Sequence, residues 1–242
     1  MVFIILFFIV IAVSFYFAWR SMKDFVEFPN AKIPYSIFLV QNPENLTQEI
    51  LSKIHKLLYT ERFRKIDPKI ISFERIAKGK SKALVIHGPK ELLKSLNELQ
   101  LLELEDFSKK LEISRVLSFE VGYLNRGESL EKLITAGIMK GIDLEEDEYF
   151  FFQVVAHPAG GVEKNQFQVS IRIAISSQDS VRRATLAKQF NNYLIENLGL
   201  SRLEKNQSSS DIYEAFKKRI LIPKEVFKFT LTSEQVLGLL RG

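Results

Sequence analysis

The sequence predicts an α+β protein: an N-terminal transmembrane helix followed by two tandem ferredoxin-like (βαββαβ) domains with antiparallel sheets. Three observations carry this. The first segment is apolar and uncharged. The rest of the chain alternates short β-branched or aromatic runs with helical periodicities. The order of those runs, strand, helix, hairpin, helix, strand, occurs twice.

The first segment reads VFIILFFIVIAVSFYFAW from Val2 to Trp19 and carries no charge. As a helix it would span roughly 27 Å, close to the hydrocarbon thickness of a bilayer. Phe3, Ile4, Leu6, Phe7, Phe8, Ile11, Phe15, Phe17 and Trp19 would face lipid. A cleaved signal peptide would have a basic start and a small-x-small cleavage site, and neither is present. Arg20 and Lys23 follow the run, so the positive-inside rule puts the bulk of the chain on the cytoplasmic side of an inner membrane. Residues 1–25 are therefore read as the anchor. The chain has no cysteine, which excludes disulfides and thiolate metal sites.

The first domain is expected over residues 26–110, after a Pro-containing linker, Val26 to Pro34. Tyr35 to Val40 is a strand. Asn45 with Gln48 resembles a capping box before a helix with Leu46, Ile50, Ile54, Leu57 and Leu58 on one face. Ile70 to Ala77 and Ala83 to His87 form a hairpin around Lys78-Gly79-Lys80-Ser81. Pro89 opens a second helix with Leu92, Leu93 and Leu96 inward, and Leu101 to Phe107 closes the unit.

The second domain, residues 111–242, repeats the order. Ile113 to Leu124 is a strand, and Ser129 to Met139 a short helix. Tyr149 to Ala156 and Gln166 to Ile175 are paired strands, and Asp179 to Asn197 is a long helix ended by Gly199. Residues 201–223 read as an insertion before a last strand, Val226 to Leu231. Pro158 is expected to end the strand before it, leaving His157 at the hairpin mouth.

No catalytic motif emerges. His55, His87 and His157 are solitary, without a nucleophile elbow or metal-ligand spacing. Gly79-Lys80-Ser81 is not a phosphate loop, because Glu74 stands where the first glycine must be and two strands flank it. The acidic run Asp143 to Glu148 lacks calcium-loop spacing and reads as a solvated loop. No catalytic, cofactor or metal residue is assigned, and the chain is expected not to be an enzyme. Residues 157–242 hold 13 basic and 8 acidic side chains, which accounts for the whole net charge of +5. Arg182, Arg183 and Lys188 on the long helix, with Lys217, Lys218 and Arg219, are the candidate contacts for phosphate, nucleic acid, anionic lipid or an acidic partner.

The second half also carries a loose signature: Gln153 and Pro158, then Phe167, Ile171 and Arg172, then a long helix, then Glu234 with Leu239 or Leu240. It resembles the membrane-anchored module that precedes the HerA/FtsK-like DNA-translocating ATPase in some type IV secretion and conjugation proteins. The resemblance covers Glu148 to Leu240; the first half matches by layout alone. It implies a membrane-anchored assembly or docking role, a homo-oligomer, and a translocation ATPase as partner, made separately or encoded beyond Gly242. The alternative expectation is a pilus-type inner-membrane platform protein; a membrane-tethered enzyme stands behind both.

Overall fold

The structure is a computed structural model that describes residues 11, 13–16, 33–59, 69–123, 143–159, 164–203, 208–221 and 229–241. Of the expected anchor, Ile11 and Phe15 are described; both are helical and exposed. Phe3, Ile4, Leu6, Phe7, Phe8, Phe17 and Trp19 lie outside the described residues, as does the expected helix Ser129 to Met139. Among the described residues no helix is long and apolar enough to cross a membrane.

The strands are β1 (Tyr35–Val40), β2 (Ile71–Lys78), β3 (Ser81–Pro89), β4 (Leu101–Leu104), β5 (Val116–Tyr123), β6 (Tyr149–Ala159), β7 (Gln166–Ser176), β8 (Leu200–Arg202) and β9 (Phe229–Thr232). The helices are α1 (Gln48–Leu58), α2 (Lys90–Lys94), α3 (Ser180–Leu198), α4 (Ser209–Lys218) and α5 (Ser233–Leu240). All the strands belong to one antiparallel sheet in the order β4-β1-β3-β2-β6-β7-β5-β8, with β9 on β7.

The halves are thus not separate sheets. They meet where β2 pairs with β6, from Ile71 opposite Ala156 to Lys78 opposite Tyr149. In isolation each would be a long edge strand with a row of unpaired amides and carbonyls, and the pairing removes both edges. Among the described strands the remaining edges, β4, β8 and β9, are four, three and four residues long.

Period-two alternation divides the sheet. Phe73, Leu84, Ile86, Phe119, Phe150, Phe152, Ile171 and Ile173 face one side and form the main core with α1, α2, α3 and α5. Phe151, Ala174 and Val116 face the other, where Tyr213 and Phe216 of α4 cover them.

The expected strand Tyr35 to Val40 and the hairpin around Gly79-Lys80 are present, and Gly79 has φ +51°. Several details differ. α1 is capped by Thr47, whose Oγ1 accepts from the Ile50 amide; Asn45 ends a preceding 3₁₀ turn and donates to the Glu98 carbonyl instead. Leu57 is 43% exposed, and Leu51 takes the inward place. β6 runs through Pro158 to Ala159, so Pro158 does not end it and His157 sits within the ladder opposite Gln168. The position beside β5 belongs to β8, because Gly199 in the left-handed region returns the chain at once. β9 fills the stretch of β7, Gln166 to Val169, that β5 leaves open. The residues expected to be an insertion therefore contain the end of β8 and all of α4.

Candidate functional site

The most concentrated chemistry lies on the sheet face beneath α4. Four neighbouring strands place Glu74, Gln153, Arg172 and Glu120 there, in register across β2, β6, β7 and β5. All four are buried. Arg172 donates from Nε to Glu120 at 3.3 Å, and from Nη1 to Gln153 at 3.3 Å and to the Ala215 carbonyl at 3.0 Å; Nη2 donates to the Ile220 carbonyl. Gln153 donates to Glu74 at 3.0 Å and to the Phe216 carbonyl at 3.0 Å. Ser72 and Ser170 donate to Glu74 and Glu120 at 2.9 and 2.6 Å.

Arg219 completes the cluster from the end of α4. It is 3% exposed and donates to Glu74 at 2.7 Å, to Asp106 at 3.1 Å and to the Lys217 carbonyl at 3.0 Å. Burial opposes its charge, but Glu74 and Asp106 outweigh that and raise its pKa. Burial would raise the Asp106 carboxyl, yet Ser108 and Arg219 hold it below the usual range. His87, on the same face, is pushed down to about 3 by burial and then by the Arg219 charge. The orphan carbonyls of the α4 C-terminus thus meet two guanidiniums and an amide, the polarity that a helix end favours. The arrangement binds α4 to the sheet; each of its charges is already matched.

Beside it, no α-helix among the described residues covers the face over β1 and β3. A cleft of about 490 Å³ is floored by Leu39, Val85, Leu104, Phe107, Leu111 and Tyr149. Its polar lining includes Lys110, Glu112, Arg115 and Asp147, two charges of each sign. A row of parallel rings forms one wall: Tyr149 and Phe107 flank Phe151 at 6.0 and 5.8 Å, each tilted by 2°. Cations close both ends, Lys78 Nζ 5.1 Å from the Tyr149 ring and the Arg219 guanidinium 5.6 Å from the Phe107 ring.

The six expected basic contacts do not form one patch. Arg182, Arg183 and Lys188 belong to α3 on one face of the sheet; Lys217, Lys218 and Arg219 end α4 on the other. Arg219 is buried in ion pairs, the reverse of a surface contact. Arg182 pairs with Glu148 at 3.1 Å, and Arg183 donates to the Ser177, Gln178 and Ser114 carbonyls. Lys217 pairs with Glu214, while Lys188 and Lys218 are exposed. The acidic run is only partly a solvated loop, since Glu148 is 1% exposed and also accepts from the Glu145 amide, closing a turn against Gly79.

His157 hydrogen-bonds Gln168 Oε1 at 2.6 Å and the Pro158 carbonyl at 2.7 Å. His55 is fully buried between Tyr59 and Phe167, and burial lowers its pKa. Among the described residues no group of three His, Asp or Glu is placed to hold a metal ion. No family model matches the chain, and no curated protein matches its sequence.

Proposed function

We propose that this chain is a non-enzymatic docking module, held at an inner membrane by its first segment, that assembles with a separate translocating ATPase. The observation that carries the reading is the contrast between the two regions of one sheet face. The ionic side chains beneath α4 are engaged with each other and with helix carbonyls. The cleft next to them is largely apolar, uncovered among the described residues, and has a charge-balanced rim. A rigid scaffold beside a half-buried apolar cleft suits binding a partner, and among the described residues no convergent set of free acid, base and nucleophile accompanies it.

In this reading the sheet is two ferredoxin-like units fused by their second strands. The orders β4-β1-β3-β2 and β8-β5-β7-β6 support it, since outward from the seam each half runs second, third, first, fourth. Gln153 and Arg172, part of the resemblance to secretion-motor anchoring modules, act as the cross-strand pair that receives α4.

The test is recovery of the tagged full chain from detergent-solubilised membranes of its source cells. Co-purification of an ATPase with a phosphate-binding loop is expected. Recovery with pilus components, or with no ATPase, overturns the reading.

A further inference from the structure

Elements of both halves meet at the end of the β6–β7 pair. Ala159 of β6 stands opposite Gln166 of β7, and Gln166 and Phe167 pair in turn with Thr232 and Leu231 of β9. Asn165, at φ +46°, donates from its side chain to the Ser52 hydroxyl on α1. Its side-chain oxygen accepts from the Ser233 hydroxyl at 2.8 Å and its carbonyl from the Ser233 amide at 3.3 Å, at the first residue of α5. α5 packs on α1 and ends over β2, where Arg75 donates to the Leu240 carbonyl. One turn along α1 from Ser52, His55 is sealed into this junction. It is fully buried, stacked on Tyr59 at 5.9 Å and edge-on to Phe167 at 5.1 Å. Among the described residues neither ring nitrogen has a partner in hydrogen-bond geometry. The Ala159 and Gln166 carbonyls are near enough to favour a proton on the ring, but burial outweighs them and lowers the pKa.

From this geometry we infer that His55 is a proton-operated release for the junction: when the ring takes up a proton, α1 parts from the end of the β6–β7 pair, and β9 and α5 loosen from the first half. The neutral ring suits its place between Tyr59 and Phe167. An imidazolium there meets no carboxylate among the described residues. Lys53 and Lys56 of α1, Lys164 beside Asn165 and Glu234 of α5 are all exposed, and His157 lies on the opposite sheet face from Phe167. A buried charge without a counter-charge is better solvated outside, so protonation favours opening. The sign follows from linkage. In the open junction His55 titrates at its ordinary value of 6.5, and in the closed one it titrates lower. The closed form is therefore fully favoured above pH 6.5. Below it the open form gains, by up to about tenfold per pH unit, until the closed form also takes up the proton. This release is a property of the fold and stands whether or not the chain docks a motor.

Amide hydrogen exchange of the full chain in detergent micelles tests it, read by peptide mass spectrometry at pH 7 and pH 5 and corrected for intrinsic rates. Peptides from β9 and α5 should exchange at least about fivefold faster at pH 5, and up to about 25-fold. Peptides from α3, which rests on β5, β7 and β8, should keep their rate. His55→Phe keeps a ring in place that cannot take a proton, and should abolish the acceleration; His157→Gln should leave it intact. The imidazole resonances of His55 in the unaltered chain give its pKa in the closed form directly and need no variant. The inference is overturned by equal exchange of α5 at the two pH values, by an acceleration that persists in His55→Phe or is shared equally by α3, or by an imidazole that titrates at or above 6.5.

Discussion

Replacing Arg219 by Met leaves Glu74 with no cation. Glu74 is fully buried, and its remaining partners, Ser72 and Gln153, are neutral. Asp106 loses its guanidinium, and the Lys217 carbonyl at the end of α4 loses a donor. Breaking a buried ion pair by removing one side costs about 3–5 kcal/mol, a drop in melting temperature on the order of 10 °C for a chain this long. Backbone conformation sharpens the prediction. Arg219 has φ +53°, a left-handed conformation that costs a non-glycine residue about 1 kcal/mol. Arg219→Gly should therefore be about 1 kcal/mol less damaging than Arg219→Met, although both remove the same charge. Glu74→Gln on the Arg219→Met background removes the stranded carboxylate and should recover about half of the loss. Urea unfolding of the full chain, followed by far-UV circular dichroism, measures all of these. A loss under about 1 kcal/mol for Arg219→Met, or strict additivity with Glu74→Gln, would refute the network as the clamp on α4.

Three further outcomes follow from the same geometry. His87 is held neutral in the fold with its pKa near 3 against an ordinary value of 6.5, so its contribution is complete above pH 6.5 and drains as pH falls toward 3, by at most about 4–5 kcal/mol; His87→Gln should flatten the stability curve across that window, and an unchanged slope would count against the burial. Thr47→Ala should cost about 1 kcal/mol by removing the α1 cap, more than Asn45→Ala, and a reversed order in thermal melts would restore Asn45 as the cap. Arg182→Met should destabilise the chain by about 1–3 kcal/mol because Glu148 stays buried without it, whereas Lys188→Met should change stability by less than about 0.5 kcal/mol; equal effects in urea would dissolve the distinction between an engaged and an exposed cation.

The local elements were legible where local chemistry decides them. Tyr35 to Val40 announces itself by β-branched and aromatic content, Gly79 by the backbone freedom its turn needs, and α3 by its glycine cap and by Leu186, Phe190 and Leu194 on its inner face; Val181, which the periodicity also puts on that face, is 71% exposed. What the sequence does not carry is which surfaces meet. β2 and β6 each look like the outer strand of a small sheet, and nothing in ISFERIAK says that FFFQVVA lies alongside it. The polar stripe Glu74, Gln153, Arg172 and Glu120 has the spacing of a solvent-facing side, so periodicity reads it as exposed. It is buried because α4, some sixty residues from Gln153 along the chain, returns to cover it. Arg219 fails as a surface contact for the same reason. One signal was available: Arg172 and Glu120 stand near the middle of β7 and β5, whose other stripes, Phe167 to Ile175 and Leu117 to Val121, are apolar, where a lone surface charge has no need to be.

The buried charges also settle the register of the sheet. Side chains alternate with period two, so a slip of one residue along β6 or β7 moves the whole polar stripe to the helix side. Arg172 would then enter the apolar layer of Phe150, Phe152, Ile171 and Ile173, where neither the α4 carbonyls nor Glu120 can reach it. Stranding such a charge costs several kcal/mol, as much as a large part of the net stability of a domain. An all-apolar stripe would bind α4 as well by area but would tolerate the slipped pairing. The network thus fixes β6 against β7 and, through Glu74 and Gln153, β6 against β2 across the seam. The same pairing holds Ile76 and Tyr149, on either side of that seam, as neighbouring walls of the open cleft. The charged half of the face therefore sets the shape of the apolar half, and whatever enters the cleft meets walls already in place, which reduces the ordering cost of binding.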